Sequence, residues 1–307
     1  VRLSGNFEAG LLARGAGTRV DVTRLVVDDS QVSATGGFGG GVIAFKGANV
    51  RLHQARLSRN RGAGVLADSA GSHVQASSLL VDGSRSLGLT KGLGWGTDIQ
   101  NGASLELAGA MVVGNREVGV GGLLAQASFV VGTRVVATVG TEDGRFGYGV
   151  MFDSCVGDST VASCLLSRNR SAGAIFRRSK GSLRNTVVDN TLPSKYPLSL
   201  GASEPAEFIE LADGVVIWEV SSMLVEAVLG ARNPRAGALV EGSPATAIRS
   251  SAFSGGLFGL ATQGASPVDT ASSLYVGSQA NYSGDMGLFI PAAPRLVGVD
   301  VNDGEDP

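Results

Sequence analysis

The sequence predicts an all-β solenoid, and three observations carry that prediction. The first is a returning phrase: "SRNRGAGVL" at 58–66, "GNREVGV" at 114–120, "SRNRSAGAI" at 167–175 and "ARNPRAGAL" at 231–239. The second is its internal frame, in which Asn precedes Gly by four: Asn60/Gly64, Asn115/Gly119, Asn169/Gly173 and Asn233/Gly237. The third is what lies between the copies. Short runs such as "GVIAF", "NVRLH", "SLELAG" and "TVVDN" are broken by Gly, Asn, Asp and Ser, as strands with turns are. Long 3.6-period stretches, a leucine-rich frame and the calcium-binding nonapeptide are all missing.

The four asparagines are spaced 55, 54 and 64 residues apart. Intermediate units end in "VVDDS" (26–30), "LVDGS" (80–84) and "VVDNT" (187–191), placing Asp29, Gly83 and Asn190 at the Asn position. The repeating unit is therefore roughly 22–30 residues, present in ten or so copies, the signature of a solenoid. One such unit leaves an apolar face bare. Stacking at the ~4.8 Å interstrand spacing buries that face and pairs the backbone. Asn and Gly at the bend suit left-handed backbone and local hydrogen bonds, so the four asparagines read as corners rather than ligands.

On the pattern "N-x-x-x-G-[VAL]-x-[AVIF]", followed by a turn and a second strand, residues 5–290 resemble the right-handed parallel β-helices of the pectate-lyase-like superfamily. More narrowly, the chain is similar to β-helix repeats of secreted or surface proteins from myxobacteria-like bacteria. The resemblance implies a single-stranded right-handed parallel β-helix of about ten to eleven coils over 1–292. Loop insertions fall near 84–95 and 191–213, and 293–307 form an acidic tail or linker. It also implies an extracellular, cell-surface or periplasmic location. It leaves activity open, because that fold hosts lyases, hydrolases, adhesins and inert spacers.

Composition narrows the partners. Of 307 residues 46 are Gly, 17% are charged, and the formal net charge is −2. The longest basic cluster in the chain is Arg177-Arg178 with Lys180, so no basic patch for nucleic acid is legible. No apolar run approaches the ~18 residues of a membrane span. The chain starts in mid-pattern at Val1-Arg2-Leu3, which points to an upstream leader or domain. Cys155 and Cys164, the two cysteines, read as small buried thiols, with a bridge across a turn as the alternative.

Counting from the glycine that opens each main strand assigns faces. One and three positions on lie the interior rows, Leu11, Val42, Val65, Thr97, Leu123, Val150 and Ala13, Ala44, Ala67, Ile99, Ala125, Phe152 in the first six strands. Four on gives a largely polar, solvent-facing row: Arg14, Phe45, Asp68, Gln100, Gln126, Asp153, Arg177, Trp218, Glu241 and Gln263. Two on gives Leu12, Ile43, Leu66, Asp98, Leu124, Met151, Ile175, Val216, Leu239 and Ala261. This outward row carries one polar residue, and a monomer seldom leaves such a stripe bare. Either a partner, a second copy or the protein's own loops cover it, or the faces are counted out of register.

Every second coil carries a longer loop, about 30–40, 84–95, 141–148 and 191–213. The first three return to the main strand through Phe38, Trp95 and Tyr148. Stacked loops form a wall beside the main sheet, where aromatics pin the loop or stack on sugar rings. The segment "TLPSKYPLSLGASEPAEFIELAD" (191–213) reads as a flap over the apolar stripe.

The chemistry offered is carboxylate chemistry. Asp68 and Asp98 fall on adjacent coils roughly 8 Å apart, a separation that suits two acids working across a sugar ring. Asp153 lies two coils on, and the resemblance implies Arg177 as base or carboxylate clamp. The family's calcium-ligating aspartate cluster and its paired-aspartate hydrolase motifs are not present. His53 and His73 fall on second strands, on another face. "GGFGGG" (36–41) has no following helix and is no nucleotide site. The tail "DVNDGEDP" (300–307) is one place out of step for a calcium loop and reads as a linker.

Two functions follow as expectations. The first is a non-catalytic secreted or surface scaffold binding a protein, another copy or a glycan through Phe38, Phe45, Trp95, Tyr148, Trp218, Leu12, Ile43, Leu66, Met151 and Ile175. The alternative is a polysaccharide lyase or glycoside hydrolase for acidic polysaccharide, using Asp68, Asp98, Asp153 and Arg177. No cofactor is expected beyond a weak case for Ca2+, and neither a nucleic-acid partner nor a membrane span.

Overall fold

In the computed structural model, described for residues 1–32, 38–87, 93–141, 144–197, 208–264, 268–279 and 281–283, the chain winds as a right-handed parallel β-helix. Each coil contributes one strand to each of three sheets. One sheet has 11 strands, the main sheet 12 and the third 10. Every strand pairing between coils is parallel among the described residues. The exception is Ser194–Pro197, which pairs antiparallel with Phe208–Trp218 inside the insertion at 191–213. No helix among the described residues is long and apolar enough to cross a membrane. The tail 293–307 lies outside the described residues.

Coil lengths alternate as far as Ala238, beyond which the coil to Leu260 is short again. From Leu11 to its partner Val42 is 31 residues, and from Val42 to Val65 is 23. The long coils carry their extra residues at the corner between the 11-stranded and main sheets. At all three corners a residue sits in the left-handed region, coil after coil. The series Asp29, Arg59, Ala137, Arg168, Asn190 and Arg232 has φ between 54° and 57°. Such backbone costs roughly 1–2 kcal/mol outside glycine, and the ladders that it permits offset it.

The asparagines complete those ladders. Asn60, Asn115 and Asn169 are buried in the tight corners of short coils. Their Oδ1 atoms accept the N–H of Ser30, Ser84 and Thr138 on the preceding long coil at 3.0, 2.9 and 3.0 Å. Asn233 Oδ1 accepts both N–H and hydroxyl of Thr191. Each Nδ2 donates back to a carbonyl, as from Asn169 to Val135 at 3.1 Å. The residues level with the asparagines are therefore Ser30, Ser84 and Thr191, one place beyond the expected Asp29, Gly83 and Asn190. Those three belong to the left-handed row instead.

The interior is one apolar column containing Val42, Val65, Val120, Val150, Ala174 and Val215. Val120, not Leu123, pairs with Thr97 and Val150. The strand Val118–Leu123 contains Gly119, Gly121 and Gly122, and counting from Gly122 displaces the faces by three. Gly121 thus takes the outward place expected for Leu124, and Leu123 that expected for Gln126. Cys155 and Cys164 are free and buried, and burial raises both thiol pKa values.

Candidate functional site

Strands of the main sheet from Gly40–Phe45 onward are buried on both faces. The outward row expected to need a partner is covered within one chain: Ile43, Leu66, Met151, Ile175, Val216 and Leu239 are all buried. Leu12, 46% exposed, is an exception, and Leu124, which the register places outside the row, is exposed as well. These side chains form a second apolar core with Phe38, Leu87, Leu93, Trp95 and Tyr148. The aromatics that close the first three loops therefore pin loop to sheet. Phe45 is buried as well, under Arg14 and Lys46 at 5.9 and 5.4 Å from its ring centre.

The row expected to be solvent-facing is polar but largely buried, through Asp68, Gln100, Asp153 and Gln263. Polar groups under an apolar cover need partners, and most have them. Asp68 accepts a hydrogen bond from Asn101 Nδ2 at 2.9 Å. Glu117, also buried, accepts the indole N–H of Trp95 at 2.9 Å. The Trp95 ring lies over Gly121, where a Cβ would come within 2.3 Å of it.

Asp98 departs from this pattern. Its side chain points outward between Leu66 and Gly121, and no part of it reaches solvent. Gln100 donates to Oδ2, while Oδ1 has no hydrogen-bond partner among the described residues. Burial pushes this carboxyl up to about 8; the Gln100 bond opposes the shift, and the charges of Asp68 and Glu117 add to it. Asp98 is thus a neutral carboxylic acid at pH 7, a state that permits proton donation.

Asp153 is held differently. Arg178 grips it at 2.9 and 3.1 Å, and Arg177 approaches at 3.4 Å. The Arg177 guanidinium stacks on the half-buried Trp218 at 4.1 Å. The four expected catalytic residues therefore form two pairs on the outward face, Asp98 in one row and the other three in the next. Asp68 and Asp98 interact from adjacent coils, and so do Asp153 and Arg177. The coil bearing Gly121 and Leu123 lies between, and Asp153 is two residues further along its strand than the place level with Asp98, putting the two about 12 Å apart.

Other features lie elsewhere. His53 and His73 sit on the ten-stranded sheet, with Nδ1 at 2.9 Å from Ser77 and 2.8 Å from Ser104. That sheet bears a shallow groove of about 360 Å³ lined by Asp21, Arg51, His53, Gln75 and Glu106. On the main sheet, Arg235 and Asp213 form a buried ion pair with a 2.8 Å Nε–Oδ1 hydrogen bond. That pair, Glu117 and Arg178 are missing from the sequence-based candidates; only the coil register brings their partners together. Among the described residues, no three His, Cys, Asp or Glu side chains gather as a metal site.

No family model matches the chain, and no curated protein matches it by sequence. Its fold is similar to that of a double mutant of the periplasmic alginate epimerase AlgG, at 12% identity and TM-score 0.52, covering 92% of this chain and 72% of that one. It is also similar to the catalytic domain of a GH87 α-1,3-glucanase in complex with tetrasaccharides, at 11% identity and TM-score 0.50. That likeness covers 93% of this chain and 62% of the glucanase domain. Pectate lyase Pel9A aligns at 11% identity and TM-score 0.42, over 95% of this chain and 73% of that one. Similarity at this identity concerns the fold.

Proposed function

We propose that this β-helix is an extracellular or periplasmic protein that acts on an acidic polysaccharide, with Asp98 as proton donor and Asp68 as its partner carboxylate. The observation that carries the reading is the neutral Asp98 carboxyl beside a second carboxyl on the outward face of the main sheet. Glycosidic cleavage needs one acid that keeps its proton at neutral pH and a second group that activates water or stabilises the developing positive charge. In this scheme the Asp98 proton passes to the leaving glycosidic oxygen, and water adds to the anomeric carbon under the influence of Asp68. Arg177, stacked on Trp218 and facing Asp153, supports a substrate carboxylate further along the stripe. Substrate meets Asp98 only when the chain over the outward face withdraws.

The same burial favours a second reading, a non-catalytic secreted or surface scaffold. There Asp98 merely terminates a polar patch in the outer core, and Asp153, held by Arg177 and Arg178, is structural. Release of reducing ends and the ultraviolet absorbance of unsaturated uronate ends, followed on acidic and neutral polysaccharides, decide between them. Turnover lost in Asp98→Asn and weakened in Asp68→Asn supports the catalytic reading. A folded protein silent across the panel, or turnover unchanged in Asp98→Asn, leaves the scaffold.

A further inference from the structure

The returning phrase contains arginine as well as asparagine, and the coil register stacks those arginines. Arg61 and Arg85 are bridged directly in parallel register on adjacent coils. Arg116 follows on the next coil. Its Cβ and the Arg85 carbonyl carbon lie 2.8 and 3.0 Å from the point that a Cβ on Gly94 would occupy, so the two residues are side by side. Three guanidinium-bearing residues thus climb one corner of the solenoid, one per coil spacing of about 4.8 Å.

The ladder is short of counter-charge. Arg61 Nε donates to the neutral Gln31 at 3.1 Å. Asp29 is engaged by Arg59 through two hydrogen bonds, at 3.0 and 2.7 Å, and stands 4.0 Å from Arg85. The Arg116 guanidinium has no hydrogen-bond or ion-pair partner among the described residues. Like charges on neighbouring strands repel, so folding alone gives no reason to stack them. Each guanidinium keeps donors to spare.

We propose that the Arg61–Arg85–Arg116 corner is a binding strip for a linear polyanionic polysaccharide laid along the solenoid axis. The choice of ligand rests on the acidic-polysaccharide reading above; the strip itself does not depend on Asp98. An extended 1,4-linked uronate carries a carboxylate on every sugar but turns it from side to side along the chain, so the carboxylates on its near side meet the ladder while long arginine side chains reach toward the others. Arginine offers each carboxylate a forked pair of donors. Single-stranded nucleic acid fits less well. It needs aromatic platforms between the cations, and the loop from Arg85 to Gly94 contains no aromatic residue.

Calorimetric titration with a short 1,4-linked oligouronate at low ionic strength tests the strip. The expected result is saturable binding that weakens as salt is added. Each of Arg61→Gln, Arg85→Gln and Arg116→Gln weakens it by about threefold, and the triple variant by roughly thirtyfold, as partly exposed ion pairs do. Arg249→Gln on the ten-stranded sheet retains full binding, and Asp98→Asn binds normally whether or not it turns substrate over. Should the triple variant fail to fold, Arg85→Glu alone carries the test. The proposal is overturned by no binding to wild type, by equal loss in Arg249→Gln, by undiminished binding in the folded triple variant or Arg85→Glu, by equal binding of a neutral oligosaccharide, or by tighter binding of a single-stranded oligonucleotide of the same charge.

Discussion

Two faces of the same coils meet opposite environments. The strand Asn49–His53 on the ten-stranded sheet alternates exposed and buried, and Phe129 further along it is 44% exposed. The strand Gly40–Phe45, on the same coil of the main sheet, is buried throughout. The interior that they share is continuous, so the difference arises outside it. Long loops leave beside the main sheet at every second coil, and the ten-stranded sheet has none. A β-helix can thus build a second core on the outer side of one sheet while leaving another to water. Apolar residues in both outward and inward rows, as in "GVIAF", mark the sheet that is covered twice.

The comparison breaks most readily by charge. Leu66→Asp or Leu239→Asp on the covered face should cost on the order of 4 kcal/mol, because an unpaired carboxylate enters an apolar core. Phe129→Asp on the bare face should stay within about 0.5 kcal/mol. Urea denaturation of the three variants measures both, and equal losses would abolish the distinction.

Asp98 sharpens it next. Its folded-state pKa is raised above the 3.8 of the free carboxyl to about 8, so the folded state holds the proton more tightly. The resulting stability is complete below pH 4 and is lost as pH rises through 8. Wild type should lose a few kcal/mol across that window. Asp98→Asn should remove this pH-dependent loss, a difference visible in thermal melts at pH 5 and pH 9. A parallel pH dependence in the two proteins would mean that Asp98 is charged in the fold.

The corners come third. Asn115→Ala strands the buried N–H of Ser84 and should cost about 1–3 kcal/mol. The smallest effect belongs to His53→Ala on the bare sheet, which removes an exposed hydrogen bond to Ser77 and should shift stability by about 0.5 kcal/mol or less. Thermal denaturation ranks the pair.

Much of this architecture is legible in the sequence, for identifiable reasons. The Asn–Gly frame reports a corner whose hydrogen bonds only Asn makes well, so the coil count and loop positions follow from it. Asp68 and Asp98 can be paired by counting coils. The coil around Gly119 misleads because three glycines offer three possible strand starts and no side chain distinguishes them. What covers the Ile43-to-Leu239 row is invisible in strand periodicity, since loops carry no period. Ion pairs such as Asp213–Arg235 depend on register between coils 22 residues apart. A search for basic runs misses Arg61, Arg85 and Arg116 for the same reason: coils, not sequence neighbours, bring them together.

Fluorescence quenching of a Trp218→Phe variant, shown to be monomeric, tests most directly whether one chain buries its own outer face. Trp95 is then the remaining tryptophan, and none of its surface reaches solvent. Blue-shifted emission that acrylamide barely quenches is the predicted result. Emission at the wavelength of free indole, freely quenched in the folded monomer, would contradict it and return the outward row to solvent or to a partner.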